Sequence, residues 1–228
     1  MAEETYQEIL QALVIDSARN ADNMARMERY HEALFSENGK DALAYLKNER
    51  GFVDSTIRHF RMGYVADPFP IDRFARGYIS IPYLNPAGVF DIRFRKLPTL
   101  DEKLPKYWQP AGSTQTIFNV QELDAKNRSV VIGEGELTAV MAYQVGIPAV
   151  AYPGVESVKQ FHRHLYEGFE RVYICGDGDE AGMRFTEQLA DMLSNARPVY
   201  MPDGEDLDSF CRKHGAEATR KLIFGDEK

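Results

Sequence analysis

The stretch Arg171-Val-Tyr-Ile-Cys-Gly-Asp-Gly-Asp-Glu-Ala-Gly-Met-Arg184 decides how this chain is read. Residues 172–175 form an apolar run as long as one buried strand. It breaks at Gly176 into two aspartates and then into small residues that open a helical pattern. Side chains two apart on an extended backbone point the same way, so Asp177 and Asp179 project together from the strand's carboxyl end, and Gly178 allows a tight turn between them. Carboxylates this close repel. Either one keeps a proton through a raised pKa, or a divalent cation holds both, and oxygen ligands of this hardness suit Mg2+ or Mn2+. Because Asp-x-Asp also occurs in plain solvated turns, the surroundings have to decide.

Two other segments repeat the form. Residues 129–132 are a second strand-length apolar run, ending in Gly133-Glu134-Gly135-Glu136 and followed by a helical pattern over 137–145. Further on, Pro198-Val-Tyr-Met201 leads into Pro202-Asp203-Gly204-Glu205-Asp206-Leu207-Asp208. With a run at 149–152, the strand-like segments are 130–132, 149–152, 172–175 and 199–201, separated by helical patterns at 137–145, 156–166 and 181–194. That spacing is the spacing of βαβ units, hence an α/β fold with a four-stranded, mainly parallel sheet flanked by helices. Ligands of such sheets bind at the carboxyl ends of the strands, where all three acidic turns are expected to meet. Residues 207–214 and 216–224 read as closing helices.

The region before the sheet is of another kind. Residues 3–35 have helical composition, with Ile9, Leu10, Leu13 and Val14 on one partial apolar face and Met24, Met27, Tyr30, His31 and Leu34 on another; His31 reads as structural. A helical segment from Gly39 to Lys47 stops at Arg50-Gly51-Phe52, and Asp54 stands as N-cap of a helix over 55–62. From residue 78 the period becomes two: 79–84, a turn at 85–88, and 89–95 make a hairpin. Asp91, Arg93 and Arg95 share a face of its second strand, either a phosphate-binding stripe or a solvated surface. Leu104-Pro-Lys-Tyr-Trp-Gln-Pro110 places Lys106 beside the lone tryptophan, a loop that could hold a nucleotide by charge and stacking, with Trp108 itself packed on the core.

The totals restrict the partners. The formal charge is −8, yet residues 40–110 hold 12 Lys and Arg against 8 Asp and Glu, so a basic region sits beside an acidic remainder. A metal-dependent enzyme acting on a polyanion needs that pairing, and chance scatter of charge over that region is the alternative. No apolar run approaches the ~20 residues of a membrane span, and the start Met-Ala-Glu-Glu lacks the order of a signal peptide. A soluble, cytoplasmic protein with no membrane partner is expected. Cys175 and Cys211 are expected to be buried, inert thiols, and they cannot form a zinc site. His162 and His164, two apart on the expected middle helix, point to different sides.

Taken together, these motifs resemble the Toprim fold, and within it the catalytic core (RNA polymerase domain) of bacterial and phage DnaG-type primases. Gly133-Glu134-Gly135 is similar to that family's glutamate motif, residues 177–182 to its Asp-x-Asp motif, and residues 201–208 with Cys211-Arg-Lys-His-Gly215 to its last acidic segment. Upstream, Tyr30-His-Glu-Ala-Leu34, residues 39–46 and 50–57, Gly63-Tyr64, the hairpin and Pro105-Lys-Tyr107 follow the order of the primase N-terminal subdomain. The resemblance implies three parts: an N-terminal basic α+β subdomain over 1–127, a Toprim metal-binding domain over 128–203 and closing helices over 204–228. It places the metal-holding acids on Glu134, Asp177, Asp179, Asp206 and Asp208, the first three catalytic. It places nucleic-acid or nucleotide contacts on Arg50, Arg95 and Lys106, and the shared strand face adds Arg93 as a further expected contact.

The implied activity is synthesis of RNA primers on single-stranded DNA from ribonucleoside triphosphates, with two or more Mg2+ or Mn2+ ions and no zinc in this chain. A replicative helicase and a zinc-binding module supplied elsewhere are the implied protein partners, in a bacterial cell or phage-infected host. The alternatives are a Toprim nuclease using the same acids, or a catalytically weak single-stranded-DNA-binding core. Two positions depart from the family: Thr138 stands where an Asp often follows the glutamate by four residues, and Phe118-Asn119-Val120 lacks the usual lysine.

Overall fold

The computed structural model describes residues 17–113, 116–124 and 126–225, and these divide into two compact units. One gathers the described residues up to Gly39 with Arg61–Ser113. The other gathers Lys40–Phe60 with the described residues after 115. The division differs from the expected boundary at residue 127, because residues 40–60 pack with the parallel sheet.

The first unit opens with helix α1 (Ser17–Leu34). Met27, Tyr30 and Leu34 bury the expected face, whereas Met24 is 38% exposed. The apolar positions expected at 9–14 lie outside the described residues. Strands β1 (Gly63–Tyr64), β2 (Ile79–Asn85), β3 (Gly88–Arg95) and β4 (Tyr107–Trp108) form an antiparallel sheet in chain order. The expected hairpin is β2–β3, with a register shift at Tyr83/Leu84. Met27 and Tyr30 pack with Val65, Ala75, Tyr78, Val89, Ile92 and Phe94, and Trp108 covers that cluster as expected. His31 is buried, its Nδ1 2.7 Å from the Met62 carbonyl, a structural contact. A buried ion pair that the sequence does not announce runs beneath: Arg26 bonds Asp72 through two nitrogens at 2.7 and 2.6 Å, and the Tyr30 hydroxyl donates to the same carboxylate at 2.6 Å.

In the second unit, α2 (Lys40–Ala44) runs into a π-helical turn over Tyr45–Glu49, and α3 spans Asp54–His59. Asp54 is not the N-cap. Val53 is, without a side-chain bond, and Asp54 sits one position inside, paired with Lys47 at 2.8 Å. Then follow β5 (Ser129–Gly133), α4 (Glu136–Gln144), β6 (Ala149–Ala151), β7 (Arg171–Cys175), α5 (Glu180–Met192), β8 (Ala196–Val199) and α6 (Leu207–Phe224). The four strands form the expected sheet in the order β6-β5-β7-β8, every pair parallel. Val130, Val131 and Ile132, like Val172, Ile174 and Cys175, are buried on both faces, which explains why these strands read as unbroken apolar runs.

Three expectations shift. Residues 156–166 form two short 3-10 helices, Val155–Ser157 and Gln160–Leu165, rather than one α-helix. The last strand ends at Val199, before Met201, since Ala196 to Val199 pair with Val172 to Cys175. The two closing helices are joined end to end in α6, kinked at Gly215, whose φ of 84° only glycine adopts without strain.

Candidate functional site

Strand order fixes where the site lies. From β5 the chain turns to β6 on one side, then comes back to β7 on the other, so β5 and β7 flank the point where the order reverses. A crevice opens beyond the carboxyl ends of strands at such a reversal. Glu134 follows β5 and Asp177 follows β7, and they meet there: the amide of Asp177 donates to Oε2 of Glu134 at 3.3 Å.

The Asp-x-Asp turn is held by close backbone packing. A Cβ at Gly176 would lie 2.1 Å from the Gly182 carbonyl oxygen, at Gly178 2.0 Å from that of Pro202, and at Gly182 1.9 Å from that of Asp177. Those three glycines let the turn fold onto the start of α5 and onto the third acidic loop. The amide of Gly178 donates to the carbonyl of Glu205 and that of Gly204 to the carbonyl of Gly178, both at 2.7 Å. Asp179 is the N-cap of α5, accepting from the Gly182 amide at 2.8 Å. The expected convergence of three acidic turns is therefore present as a set of bonds. Cys175 lies buried beneath it; burial, followed by the charges of Asp177 and Asp206, pushes its thiol up to about 12.

Asp206 and Asp208 are engaged differently. Asp206 caps α6, accepting from the Ser209 amide at 2.8 Å. Asp208 is buried, and Arg50 Nη1 lies 3.0 Å from its Oδ2 and 3.9 Å from Oδ2 of Asp206. The two carboxyls act on each other's protonation. Burial, then the hydrogen bond and charge of Asp206, raise Asp208 to about 6, against the pull of Arg50. Burial also acts to raise Asp206, but the bonds from Asp208 and Ser209 and the Arg50 charge outweigh it and bring it to about 2.

For a divalent ion the donor chemistry of Glu134, Asp177 and Asp179 fits: hard carboxylate oxygens on two adjoining turns. Asp206 and Asp208 do not fit, because the Arg50 guanidinium already stands against both. Among the described residues no group of three or more His, Cys, Asp and Glu side chains is arranged to hold an ion, so neither the five acids expected as one metal-holding set nor Glu134, Asp177 and Asp179 by themselves are assembled as one. Asp177 is half-buried and Asp179 exposed.

The basic residues separate into two places. Arg50, expected as a nucleic-acid contact, faces the acids of the sheet unit. Arg93, Arg95 and Lys106 gather in the antiparallel unit around one ring: Arg93 Cζ stands 4.0 Å, Arg95 Cζ 5.2 Å and Lys106 Nζ 5.9 Å from the centroid of Tyr107. Arg95 NH1 also bonds the Tyr107 hydroxyl. The face shared by Asp91, Arg93 and Arg95 is not a solvated one, since Asp91 and Arg95 are buried and only Arg93 is partly open. Sequence reasoning missed Tyr107 as the centre of this cluster, although its place between Lys106 and Trp108 was the available signal. It also missed Gln144, described below.

Comparison with known proteins supplies the rest. Residues 129–217 match the model of the Toprim domain. The chain is 38% identical to the Gene 57 protein of Mycobacterium phage D29 over 153 residues, 65% of this chain and 99% of that protein. It is 26% identical to the DNA primase of Halalkalibacterium halodurans over 86% of this chain and 40% of that one. The RNA polymerase domain of Mycobacterium tuberculosis primase DnaG has the same fold, with a TM-score of 0.76 at 22% identity, covering 91% of this chain and 83% of that chain. The chain belongs to the DnaG-type primase catalytic cores. It spans about 40% of the length of the bacterial DNA primase it matches.

Within this family, the two departures have a physical account here. Thr138 is buried under the glutamate turn, its Cγ2 only 2.5 Å from where a Cβ on Gly133 would stand, so this primase core fills the space with a methyl group. Val120 packs against the apolar core of the sheet, and the preceding Asn119 ties that segment to β6 by donating to the Ala149 carbonyl at 2.8 Å. No helix among the described residues is long and apolar enough to cross a membrane.

Proposed function

We propose that the chain is the catalytic part of a DNA primase, joining ribonucleotides into short primers on a single-stranded DNA template. The observation that carries this reading is the meeting of the β5 and β7 acidic turns at the reversal of strand order, with Glu134 bonded to the Asp177 amide. Glu134, Asp177 and Asp179 are the residues that would hold Mg2+ or Mn2+. Such an ion, when bound, lowers the pKa of a primer 3′-hydroxyl and stabilises charge on the departing pyrophosphate.

The chain's own residues do the positioning. The Asp177 amide fixes the direction of the Glu134 carboxylate, and the Gly178–Glu205 bond keeps the Asp-x-Asp turn from opening. Around Tyr107, two guanidiniums and one ammonium form a cationic group whose freedom is already limited by the ring, so binding phosphates of a template strand or triphosphate costs less ordering entropy. A zinc-binding module and a replicative helicase are the protein partners this reading calls for.

The test is incubation of the chain with single-stranded DNA, labelled ribonucleotides and Mn2+. Labelled oligoribonucleotides are expected. They should vanish in Asp177→Ala and in Asp179→Asn, where Asn preserves the helix cap while removing the charge. Cut DNA without RNA would replace the reading with a Toprim nuclease, retained DNA with neither product with a binding core. Full synthesis by the doubly substituted chain would remove these acids from the site.

A further inference from the structure

We infer that Arg50 is the resident counter-cation of the Asp206–Asp208 pair, withholding both carboxylates from metal ions and leaving ion binding to Glu134, Asp177 and Asp179. This rests on reading the acidic turns as an ion-binding site. One guanidinium nitrogen, Nη1 of Arg50, stands 3.0 Å from Asp208 and 3.9 Å from Asp206. A divalent ion shared by that pair would have to occupy the space of this nitrogen and would meet a like charge at contact distance.

Arg50 is held there from several directions. Its Nε donates to the Tyr45 hydroxyl at 2.8 Å, and its Cζ lies 5.4 Å from the centroid of the Tyr45 ring. The π-helical turn closes behind it, the Arg50 amide donating to the Tyr45 carbonyl at 3.1 Å and the Phe52 amide to that of Leu46 at 3.0 Å. Ahead of it, Gln144 clips the chain as one strand clips another: Nε2 donates to the Gly51 carbonyl at 2.9 Å, and Oε1 accepts from the Val53 amide at 2.8 Å. Gln144 ends α4, the helix that opens two residues after Glu134. It is a positioning residue: it fixes the Arg50 segment to the same helix whose start carries the glutamate turn.

Asp208 has no conformational escape toward an ion either. Its side chain is 2% exposed, while that of Arg50 is 20% exposed, so the acid lies beneath the guanidinium. Breaking such a contact means uncovering a buried charge, which keeps the pair closed, whereas Asp177 is half-buried and Asp179 exposed.

The experiment counts Mn2+ on the full chain by the loss of the free-ion spin signal, with Mn2+ as the probe and no substrate. Asp177→Asn is expected to weaken uptake by at least about tenfold, as removal of a hard ligand does, and Asp208→Asn to change it by less than about twofold. Arg50→Gln is expected to add roughly one weaker Mn2+ per chain, by freeing two carboxylates. Gln144→Ala, which loosens Arg50 without removing it, is expected to shift in the same direction. Asp208→Asn losing as much Mn2+ as Asp177→Asn, or no uptake by the unsubstituted chain, would overturn the inference. If Arg50→Gln does not fold, the two aspartate variants decide alone. Primer synthesis is scored apart: an inactive chain with this Mn2+ pattern discards the primase reading and keeps Arg50 as counter-cation, whereas an active chain that loses Mn2+ on Asp208→Asn does the reverse.

Discussion

Replacing Gly178 with alanine would drive a methyl group against the carbonyl oxygen of Pro202, 2.0 Å from the position its Cβ takes, with the Glu205 oxygen next at 2.9 Å. Both obstacles are backbone, so no side chain can swing away. Relief requires the Asp-x-Asp turn and the 202–206 loop to part by more than about 1 Å, given that nonbonded atoms pack at roughly 3.5 Å. That separation breaks the two 2.7 Å bonds between the loops, Gly178 to Glu205 and Gly204 to Gly178. Two hydrogen bonds at about 1 kcal/mol each, with about 1–3 kcal/mol for forcing a methyl into packed structure, give a loss of about 3–5 kcal/mol. Urea unfolding followed by circular dichroism measures it, and an unchanged m-value would show that the unfolded state is not the source. Gly168→Ala is the control, because nothing lies within 4 Å of its Cβ; it should stay within about 0.5 kcal/mol. A loss below about 1 kcal/mol for Gly178→Ala would refute the view that close backbone contact ties these turns together.

In metal-free buffer the acid pair predicts a stability profile. Asp208 binds its proton more tightly folded, at about 6, than unfolded, so its contribution is full below the unfolded value near 3.8 and is lost as pH rises through 6, by at most about 3 kcal/mol. Asp206, lowered to about 2, acts oppositely, its contribution falling away as pH drops from 3.8 through 2. Asp208→Asn should flatten the decline between pH 4 and 6, and an unchanged slope in chemical denaturation would count against the upward shift of Asp208. Asp72→Ala leaves the Arg26 guanidinium buried without its carboxylate and should cost about 3–5 kcal/mol; a thermal midpoint shifted by less than about 2 °C would contradict this. Lys106→Ala should leave stability unchanged and reduce the slope of log affinity for single-stranded DNA against log salt by about 0.7, read by fluorescence anisotropy, whereas an identical slope would remove this lysine from the phosphate contacts.

Where periodicity is governed by burial on both faces, the sequence was readable. Residues 130–132 and 172–175 are unbroken apolar runs because helices or loops cover each side, and their strands lie where the runs do. The last strand was misplaced by three residues at its start and two at its end because β8 contains Arg197 and Pro198, exposed at the sheet edge, while the apolar Met201 lies beyond it. The 156–166 segment carries helical composition but begins after Pro153-Gly154 and settles into 3-10 turns, a difference of hydrogen-bond register that composition does not encode. In the site, Glu134 and the Asp-x-Asp turn were legible because strand-turn-helix syntax delivers them to one place. Arg50 was expected as a nucleic-acid contact, but its pairing with Asp208 was not legible, since that contact spans 158 residues and the Arg50 segment is held by Gln144, a residue whose type carries no signal of its own.

The grouping of residues 40–60 with the sheet means that the chain passes between the two units at 39/40, 60/61 and again between 113 and 116. A shortened protein beginning at residue 128 would keep every strand of the parallel sheet yet discard Arg50, stranding Asp208 under an opened roof and leaving Gln144 with nothing to grip. Anyone seeking the smallest folding piece should therefore excise 61–113 from the middle and bridge the gap, rather than trim from the front.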